Sequence, residues 1–253
     1  MLFDTHAHLD DARFDEDRES VIAGLRAEGV SLVMNVGADM ESSRTSAELA
    51  QKYDFIYAAV GVHPDETGAL TEADMETLAE LTKQKKVLAI GEIGLDYHNN
   101  GAPKEVQQKW FRRQLLLAKE LALPYIIHDR EAHGDTLSIL KEVGYFNGVM
   151  HCFSGSAEMA KEVTALGMMV SFAGPVTFKN AAKTKEAAKI VPKERLMVET
   201  DSPYLSPEPH RGKRNDSSRV RYVAEEIARL RGMEFEELES LTMENGKRFF
   251  GIQ

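Results

Sequence analysis

The chain has 253 residues; 43% of them are hydrophobic, 28% are charged, and the formal net charge is −10 at pH 7. These fractions are typical of a globular protein and argue against a disordered or membrane-spanning chain. The acidic balance also argues against a broad basic face that wraps duplex DNA, because nonspecific affinity for phosphates depends on clustered Lys and Arg. Any polyanion must therefore meet a local basic patch.

The first residues and the cysteine content predict a cytoplasmic protein. No apolar run is long enough to span a bilayer, and the basic and then apolar pattern of a signal peptide is absent. The single cysteine, Cys152, cannot form an internal disulfide, which fits a reducing compartment. We expect a monomer without a membrane partner, built as one domain over residues 1–253, a length that one α/β barrel can reach.

Eight short apolar runs predict β-strands. In chain order they are Leu2–Asp4, Leu32–Val36, Phe55–Val60, Val87–Ile90, Tyr125–Ile127, Val149–Met150, Met168–Phe172 and Leu196–Val198. Segments with helical spacing separate them, and strands that alternate with helices pair in parallel through right-handed crossovers. Eight is the number of strands that closes a barrel, so the sequence predicts an α/β fold of the TIM type, a (β/α)8 barrel.

Helices between the runs are predicted from spacing and from capping residues. Residues 104–123 carry the clearest pattern, whose predicted buried face is Val106, Trp110, Leu117 and Leu121. Predicted N-caps are Thr71 and Ser156, and predicted helix stops are Gly29, Gly144 and Gly167. Residues 233–251 predict a C-terminal helix with acids early and basic residues late, as the helix dipole prefers.

Side chains of metal-ligand type stand at the ends of five of the eight runs. Active residues of this fold cluster at the C-terminal ends of the strands, so we expect these side chains at one rim. In chain order they are His6 and His8 after the first run, Glu92 after the fourth, His128 after the fifth, His151 after the sixth and Asp201 after the eighth.

The types of these residues predict a centre with two divalent ions. Side chains two residues apart in a strand lie on the same face, so His6 and His8 can bind one ion. A carboxylate can bind two ions at once, which makes Glu92 the expected bridge. His128 and His151 are expected on the second ion.

Asp201 is expected to bind the first ion and to accept a proton from an activated water. Such a centre lowers the pKa of water from 15.7 toward roughly 7 and can stabilise the attacking and leaving oxygens of a phosphate ester. Asp201 and Glu92 are therefore the predicted catalytic carboxylates of a hydrolase.

Several motifs resemble those of the TatD-like metal-dependent deoxyribonucleases, within the amidohydrolase-like barrels. They are DTHAHLD at residue 4, GVHP at 61, GEIGLDY at 91, HCFSGS at 151, SFAGPVTFKN at 171, ETDSPYL at 199 and RGKRN at 211, and they span nearly the whole chain in order. The resemblance implies a TIM-type barrel, two divalent ions (Mg, Mn, Zn, Fe or Ni), and hydrolysis of DNA, often from a 3′ end of single strands. By position, the six residues at the strand ends match the family's metal ligands. Two departures, HDREAH at residue 128 and His210 before Arg-Gly, leave substrate preference open.

Further residues are predicted to bind substrate or to support the ligands. His63 is a candidate phosphate contact, with a loop residue beside Pro64 as the alternative. Glu199 is expected to orient a ligand imidazole, or else to be a satisfied interior acid. Arg211 is the predicted phosphate clamp and Lys179 a second contact, whereas the alternative is a solvated run of charges.

The aromatic residues and the cysteine near the motifs admit two interpretations each. Tyr97 or Tyr204 could stack on an unpaired base, although packing is the stronger expectation for both. Cys152 is expected to be a small buried packing residue rather than a reactive thiol.

The sequence thus predicts a metal-dependent phosphodiesterase that acts on DNA, with RNA as a further candidate substrate. Two alternatives stay open. The same barrel could hydrolyse an amide, a lactone or an aminoacyl ester, because an activated water also attacks carbonyl carbon. The chain could instead bind nucleic acid without catalysis, since barrels host many functions.

Overall fold

A computed structural model describes residues 1–253, which pack as two compact units. Residues 1–35 and 151–253 form unit 1, and residues 36–150 form unit 2. The helices of both units are too short or too polar to cross a bilayer. The prediction of a single domain stays a prediction.

Eight strands form one sheet in the order in which they occur in the chain. They are β1 (Leu2–Ala7), β2 (Val30–Val36), β3 (Ile56–Val60), β4 (Val87–Asp96), β5 (Tyr125–Arg130), β6 (Gly148–Met150), β7 (Met169–Phe172) and β8 (Leu196–Val198). The paired strands run parallel, and in unit 1 a parallel bridge between Ala7 and Ser202 joins β1 to the segment after β8. The predicted TIM-type (β/α)8 barrel is confirmed.

Nine helices accompany the strands. They are α1 (Arg18–Gly24), α2 (Met40–Lys52), α3 (Glu72–Leu81), α4 (Lys104–Glu120), α5 (His133–Val143), α6 (Ala157–Ala165), α7 (Ala182–Ile190), α8 (Val220–Arg231) and α9 (Phe235–Phe250). The last of these confirms the predicted C-terminal helix.

Four of the five predicted helix boundaries are confirmed. Ser156 caps α6 by accepting a hydrogen bond from the Met159 N–H, and Thr71 forms a capping box at the start of α3. Gly144 and Gly167 follow α5 and α6 at positive φ, which glycine adopts without strain. Gly29 was predicted wrongly as a helix stop, because α1 ends five residues earlier and Gly29 lies in the turn that leads into β2.

The predicted buried face of α4 is partly wrong. Trp110 and Leu117 are buried, but Leu121 is 37% exposed and lies beyond the helix. The observed buried face includes two polar residues, Gln107 and Gln114, which are seven positions apart and therefore project from the same side two turns apart. The face is rotated because these glutamines bond to buried backbone, as described below.

Three strands continue past their apolar runs through polar residues. β1 includes His6, β4 includes Glu92, and β5 includes His128. Within unit 2, β4 reaches close to β5 at Gly94, whose φ is +147° and where a Cβ atom would lie 1.9 Å from the His128 carbonyl oxygen. Only glycine fits there, so this residue fixes the approach of the two strands that carry Glu92 and His128.

Candidate metal centre

The first candidate ligands lie at the C-terminal end of β1 and directly after β8, both in unit 1. The Nε2 atoms of His6 and His8 are 3.1 Å apart, and Asp201 Oδ1 lies 3.8 Å from the first and 3.5 Å from the second. The backbone N–H of Asp201 donates to the His6 carbonyl at 2.9 Å, which fixes the carboxylate beside the imidazoles. All three residues are buried.

The third imidazole of unit 1 follows β6 and is held by an acid from the end of β8. The ring of His151 stacks on that of His6, with centroids 4.0 Å apart. Glu199 Oε1 lies 3.1 Å from His151 Nδ1 and accepts the Cys152 N–H at 2.7 Å. A carboxylate that holds Nδ1 makes Nε2 the coordinating nitrogen of the imidazole, which is the contact expected of an acid that orients a ligand.

Cys152 differs from its prediction as a buried packing residue. The residue is half-buried and adopts φ 41°, an uncommon left-handed conformation for a side chain with a Cβ. This conformation is accompanied by the hydrogen bond from its N–H to Glu199, so its backbone supports the acid that holds His151.

Charge in unit 1 is set by burial and by the imidazoles. Burial acts to raise the pKa of Asp201, but the hydrogen bond with His8 and the charges of His151 and His6 outweigh it and hold that pKa below its usual range. Burial raises the pKa of Asp4 to about 7, even though Asp4 accepts hydrogen bonds from the N–H and hydroxyl of Thr200 at 2.8 and 2.6 Å. Asp4 therefore ties β1 to the segment that carries Asp201.

A second set of donors lies in unit 2, on β4 and β5. His128 Nδ1 is 2.8 Å from Glu92 Oε1, and its Nε2 is 3.0 Å from Asp96 Oδ2. Burial acts to raise the pKa of Asp96, but hydrogen bonds from His128 and from the N–H groups of Asn99 and His98 hold it well below its usual range. Asp96 is thus an ionised partner of the imidazole.

His63 lies directly after β3, next to this second set. Its Nδ1 accepts the N–H of Asp65 at 3.2 Å, and its Nε2 is 3.9 Å from Glu92 Oε1. In a neutral imidazole, a ring nitrogen that accepts a hydrogen bond leaves the proton on the other nitrogen. Nε2 of His63 is therefore arranged to donate a hydrogen bond rather than to coordinate.

The donors of each unit fit a divalent cation. In unit 1, nitrogen or carboxylate oxygen atoms of His6, His151 and Glu199 lie within 4.8 Å of one another, and in unit 2 the same is true of His63, Glu92 and His128. In these groups Glu199 orients an imidazole and His63 donates a hydrogen bond, so the other members are the candidate ligands. Buried imidazoles mixed with carboxylates suit zinc, manganese and iron, and carboxylates also suit magnesium. Two nitrogens on one ion stand roughly 3 to 3.5 Å apart, as metal–nitrogen bonds of about 2.0–2.1 Å require, and the pair from β1 has this spacing.

A family model described as TatD related DNase matches residues 3–251. The chain belongs to the TatD family. It is therefore a metal-dependent hydrolase, as the motif resemblance predicts.

Relatives and solved structures agree with the family assignment. A Bacillus subtilis strain 168 protein named uncharacterized metal-dependent hydrolase YabD is 52% identical over 254 residues, with 100% of both chains covered. A Klebsiella pneumoniae strain 342 protein named 3′-5′ ssDNA/RNA exonuclease TatD is 33% identical over 258 residues, with 99% of this chain and 98% of the relative covered. The crystal structure of YJJV, a TatD homologue from Escherichia coli K12, matches with a TM-score of 0.94 at 29% identity, over 100% of this chain and 98% of that one.

In this TatD-family chain, the basic residues after β7 and β8 differ in their partners. Arg211 is exposed, forms no ion pair, and places its guanidinium carbon 4.2 Å from the ring centroid of Phe178. Lys179, the residue after that ring, is also exposed and without an ion pair. Arg214 instead donates two hydrogen bonds to the Asp17 carboxylate, at 2.8 and 2.6 Å. Lys213 is likewise exposed and without an ion pair, so Arg211, Lys179 and Lys213 are the cations of this loop region that are available to a ligand.

Two buried amides that the sequence analysis missed hold the backbone next to the donors of unit 2. Gln114 accepts the N–H of Val62 at 2.8 Å and donates to its carbonyl at 3.0 Å, directly before His63. Gln107 accepts the N–H of Asp96 at 2.9 Å and donates to its carbonyl at 2.9 Å. The only indication of this role in the sequence was the presence of two glutamines among the apolar residues of a predicted helix.

In unit 1, the side chains of Asn35 and Arg18 hold the backbone of the loop after His8. Asn35 accepts the Leu9 N–H at 2.6 Å and donates to Asp10 at 2.7 Å. Arg18 donates to the carbonyls of Leu9, Asp10 and Asp11. Backbone groups that follow the ligand strand are thus satisfied by side chains, which holds that strand end in place.

Proposed function

We propose that the protein is a metal-dependent phosphodiesterase that removes nucleotides from the 3′ ends of single-stranded DNA, with RNA as a further substrate. The Klebsiella pneumoniae relative, named 3′-5′ ssDNA/RNA exonuclease TatD, supports this proposal because the alignment spans nearly the whole of both chains. The donor sets described above support the requirement for metal.

The proposed metal complement is two divalent ions, held by the predicted ligands His6, His8, Glu92, His128, His151 and Asp201. The role of Glu92 as a bridging ligand stays a prediction of the sequence. Bound ions of this kind supply Lewis acidity toward phosphoryl oxygen and toward water.

Two carboxylates and one imidazole then act on the reacting groups or on the ligands. Asp201, whose Oδ1 lies 3.5 Å from Nε2 of His8, is the proton acceptor. Glu199 holds Nδ1 of His151 and so fixes the orientation of that ring. His63 donates from Nε2 to a phosphate oxygen, as its accepting Nδ1 allows.

The single observation that carries the choice of a phosphodiester is the available guanidinium of Arg211. In a chain with a net charge of −10, it and Lys179 are cations without carboxylate partners, and they follow β7 and β8, at the strand ends where ligands of this fold bind. The guanidinium carbon lies 4.2 Å from the ring centroid of Phe178, a contact that restrains the side chain, and a guanidinium can donate two parallel hydrogen bonds to phosphate oxygens.

The test compares Arg211→Ala with Arg214→Ala on 5′-labelled single-stranded oligonucleotides. The protein is stripped with a chelator and reloaded with Mn²⁺, and shortening from the 3′ end is followed on a gel. Loss of charge-assisted hydrogen bonds predicts a fall of about 10- to 100-fold in kcat/KM for Arg211→Ala. Arg214→Ala is the matched control from the same loop, since its side chain is occupied by Asp17.

Three outcomes would contradict the proposal. Cleavage that persists in chelator would show that the reaction does not require a metal. An unchanged rate for Arg211→Ala on DNA, together with turnover of a neutral amide or ester, would favour hydrolysis at carbon. Tight binding of oligonucleotides without any turnover, equal in the wild type and in Asp201→Asn, would favour a binding protein. The monomeric state and the cytoplasmic location stay predictions.

A further inference from the structure

Two exposed apolar side chains stand next to each other directly after the last ligand. Tyr204 and Leu205 are each 41% exposed, whereas the other large exposed apolar residues, Met1, Leu116, Leu121 and Ile190, are separate along the chain. Single exposed apolar residues need no explanation, but a pair beside a functional site marks a candidate contact surface. Both residues belong to unit 1, as do His6, His8 and Asp201.

The ring of Tyr204 is fixed on several sides. Its hydroxyl donates to Asp11 Oδ2 at 2.8 Å, and the guanidinium carbon of Arg13 lies 4.4 Å from the ring centroid. Burial and the hydrogen bond to Asp11 raise the pKa of Tyr204 to about 12, so the hydroxyl stays a donor. The ring centroid is 6.1 Å from that of His8, with the two planes nearly perpendicular at 78°. An aromatic surface is therefore held rigid beside a candidate ligand.

Leu205 keeps a strained backbone that the loop enforces. Its φ is +50°, a conformation that costs energy for a branched side chain. Its carbonyl oxygen packs so closely on Gly174 that a Cβ atom there would lie 1.9 Å away. The close packing of its carbonyl on Gly174 thus holds Leu205 in this conformation, in which the residue is 41% exposed.

We propose that Tyr204, Arg13 and Leu205 form a subsite for the nucleobase of the nucleotide that is removed, an inference that rests on the proposed function. Tyr204 lies beside the candidate ligand His8, with ring centroids 6.1 Å apart, so a base on the phenol would belong to a nucleotide whose phosphate is near that ligand. Phenol and guanidinium planes both stack on bases, and such stacking accepts any base because every base has a π face. The subsite would therefore bind the terminal base without reading its identity.

The charges around the ring favour a base over a second phosphate. The Asp11 carboxylate lies against the Tyr204 hydroxyl and is 4.0 Å from Nε of Arg13. A phosphate placed here would be repelled by the Asp11 carboxylate, and the Arg13 guanidinium that could offset this repulsion already lies close to that carboxylate. An uncharged base would not be repelled. The phosphate-binding cations Arg211 and Lys179 lie on other segments.

The experiment compares two substrates that share one leaving group. Thymidine 5′-(p-nitrophenyl phosphate) carries a base, and methyl p-nitrophenyl phosphate does not; release of p-nitrophenolate by the Mn²⁺-loaded protein is followed by absorbance. Tyr204→Ala should lower kcat/KM for the thymidine ester by about 5- to 150-fold, the range that loss of one stacked base predicts, and should leave the methyl ester within about twofold. Tyr204→Phe keeps the ring and should retain most of the preference for the base.

Leu116→Ala provides the control, because Leu116 is an equally exposed apolar residue, on α4 in unit 2. Equal losses on both esters, or no loss on either, would overturn the subsite. If the wild type cleaves neither ester, the subsite is tested by binding instead, and the proposed function is judged by the shortening of oligonucleotides described above. A single-stranded oligonucleotide with a 3′-terminal 2-aminopurine is then titrated in chelator; a fluorescence change that Tyr204→Ala abolishes supports the subsite, and one that it leaves intact overturns it.

Discussion

The substitution Gln107→Leu tests how the helix face of α4 supports the donors of unit 2. Gln107 is buried and makes three hydrogen bonds: it accepts the Asp96 N–H, and it donates to the carbonyls of Asp96 and Ala102, all at 2.8 to 2.9 Å. Leucine has a similar size but leaves these backbone groups without their partner. An unsatisfied buried group costs about 1–3 kcal/mol, so we expect the free energy of unfolding to fall by about 2–4 kcal/mol.

The same substitution should weaken metal binding. The Asp96 carboxylate holds Nε2 of His128 at 3.0 Å, so a shift of the Asp96 backbone moves the partner that orients this imidazole. Outer partners of metal ligands typically contribute 10- to 100-fold in affinity. We expect Mn²⁺ affinity to fall about tenfold, measured as the metal concentration needed to raise Tm in a thermal unfolding titration.

Asn245→Leu is the matched control in unit 1. Asn245 is also a buried helix amide, on α9, and it donates to the carbonyls of Lys193 and Leu196 at 2.7 and 2.8 Å, where β8 begins rather than where it ends. We expect a similar fall in Tm, by about 4 to 16 °C for a chain of this length, with unchanged Mn²⁺ affinity. Gln107 does not support the donors of unit 2 if Gln107→Leu loses stability but keeps its full response to Mn²⁺, or if both variants lose that response equally.

Three further predictions concern other contacts. Gly94→Ala should fail to fold or lose more than about 3 kcal/mol in urea unfolding, because its Cβ would strike the His128 carbonyl; a loss below about 1 kcal/mol would show that β4 and β5 can separate. Glu199→Gln can still accept a hydrogen bond but lacks the charge beside His151, so Mn²⁺ affinity measured by calorimetry should fall about 10- to 100-fold with little change in Tm; unchanged affinity would make Glu199 a packing acid. Gln114→Leu removes the two hydrogen bonds that hold Val62, directly before His63. Because His63 is proposed to donate to phosphate rather than to coordinate, KM for oligonucleotides should rise more than Mn²⁺ affinity changes. A larger change in Mn²⁺ affinity than in KM would make His63 a ligand.

The sequence was sufficient to predict the strands because each has an apolar run with its own local signal. It was less informative about where the strands end. β1, β4 and β5 continue to Ala7, Asp96 and Arg130, since the backbone of a strand keeps pairing with its neighbours after the side chains turn polar. Residues expected just past the strands, such as His6 and Glu92, therefore lie within them.

Asp96 could have been found by the alternation of side chains along a strand. Glu92 and Asp96 are four residues apart on β4, and regular alternation would place them on one face, the rule that pairs His6 with His8. Both acids contact the imidazole of His128. The strand was expected to end at Ile90, so the rule was not extended through GEIGLD.

Gln107 and Gln114 could not be found in this way. Their positions read as polar interruptions of an apolar helix face, and their function depends on backbone groups of other elements that periodicity does not reveal. The sequence names Tyr204 as a candidate for stacking on a base but favours packing, because its exposure and its contacts with Asp11 and Arg13 come from segments about 190 residues apart in the chain.

The discontinuity of unit 1 has a consequence for biosynthesis. The bridge from Ala7 to Ser202 and the bonds from Thr200 to Asp4 join the beginning of the chain to residues that the ribosome adds almost 200 positions later. The donor set of His6, His8 and Asp201 consequently cannot exist on a nascent chain that is still short of Asp201, however early its first histidines emerge. The donors of unit 2 are encoded within one contiguous stretch, residues 36–150, so a growing polypeptide can complete them first.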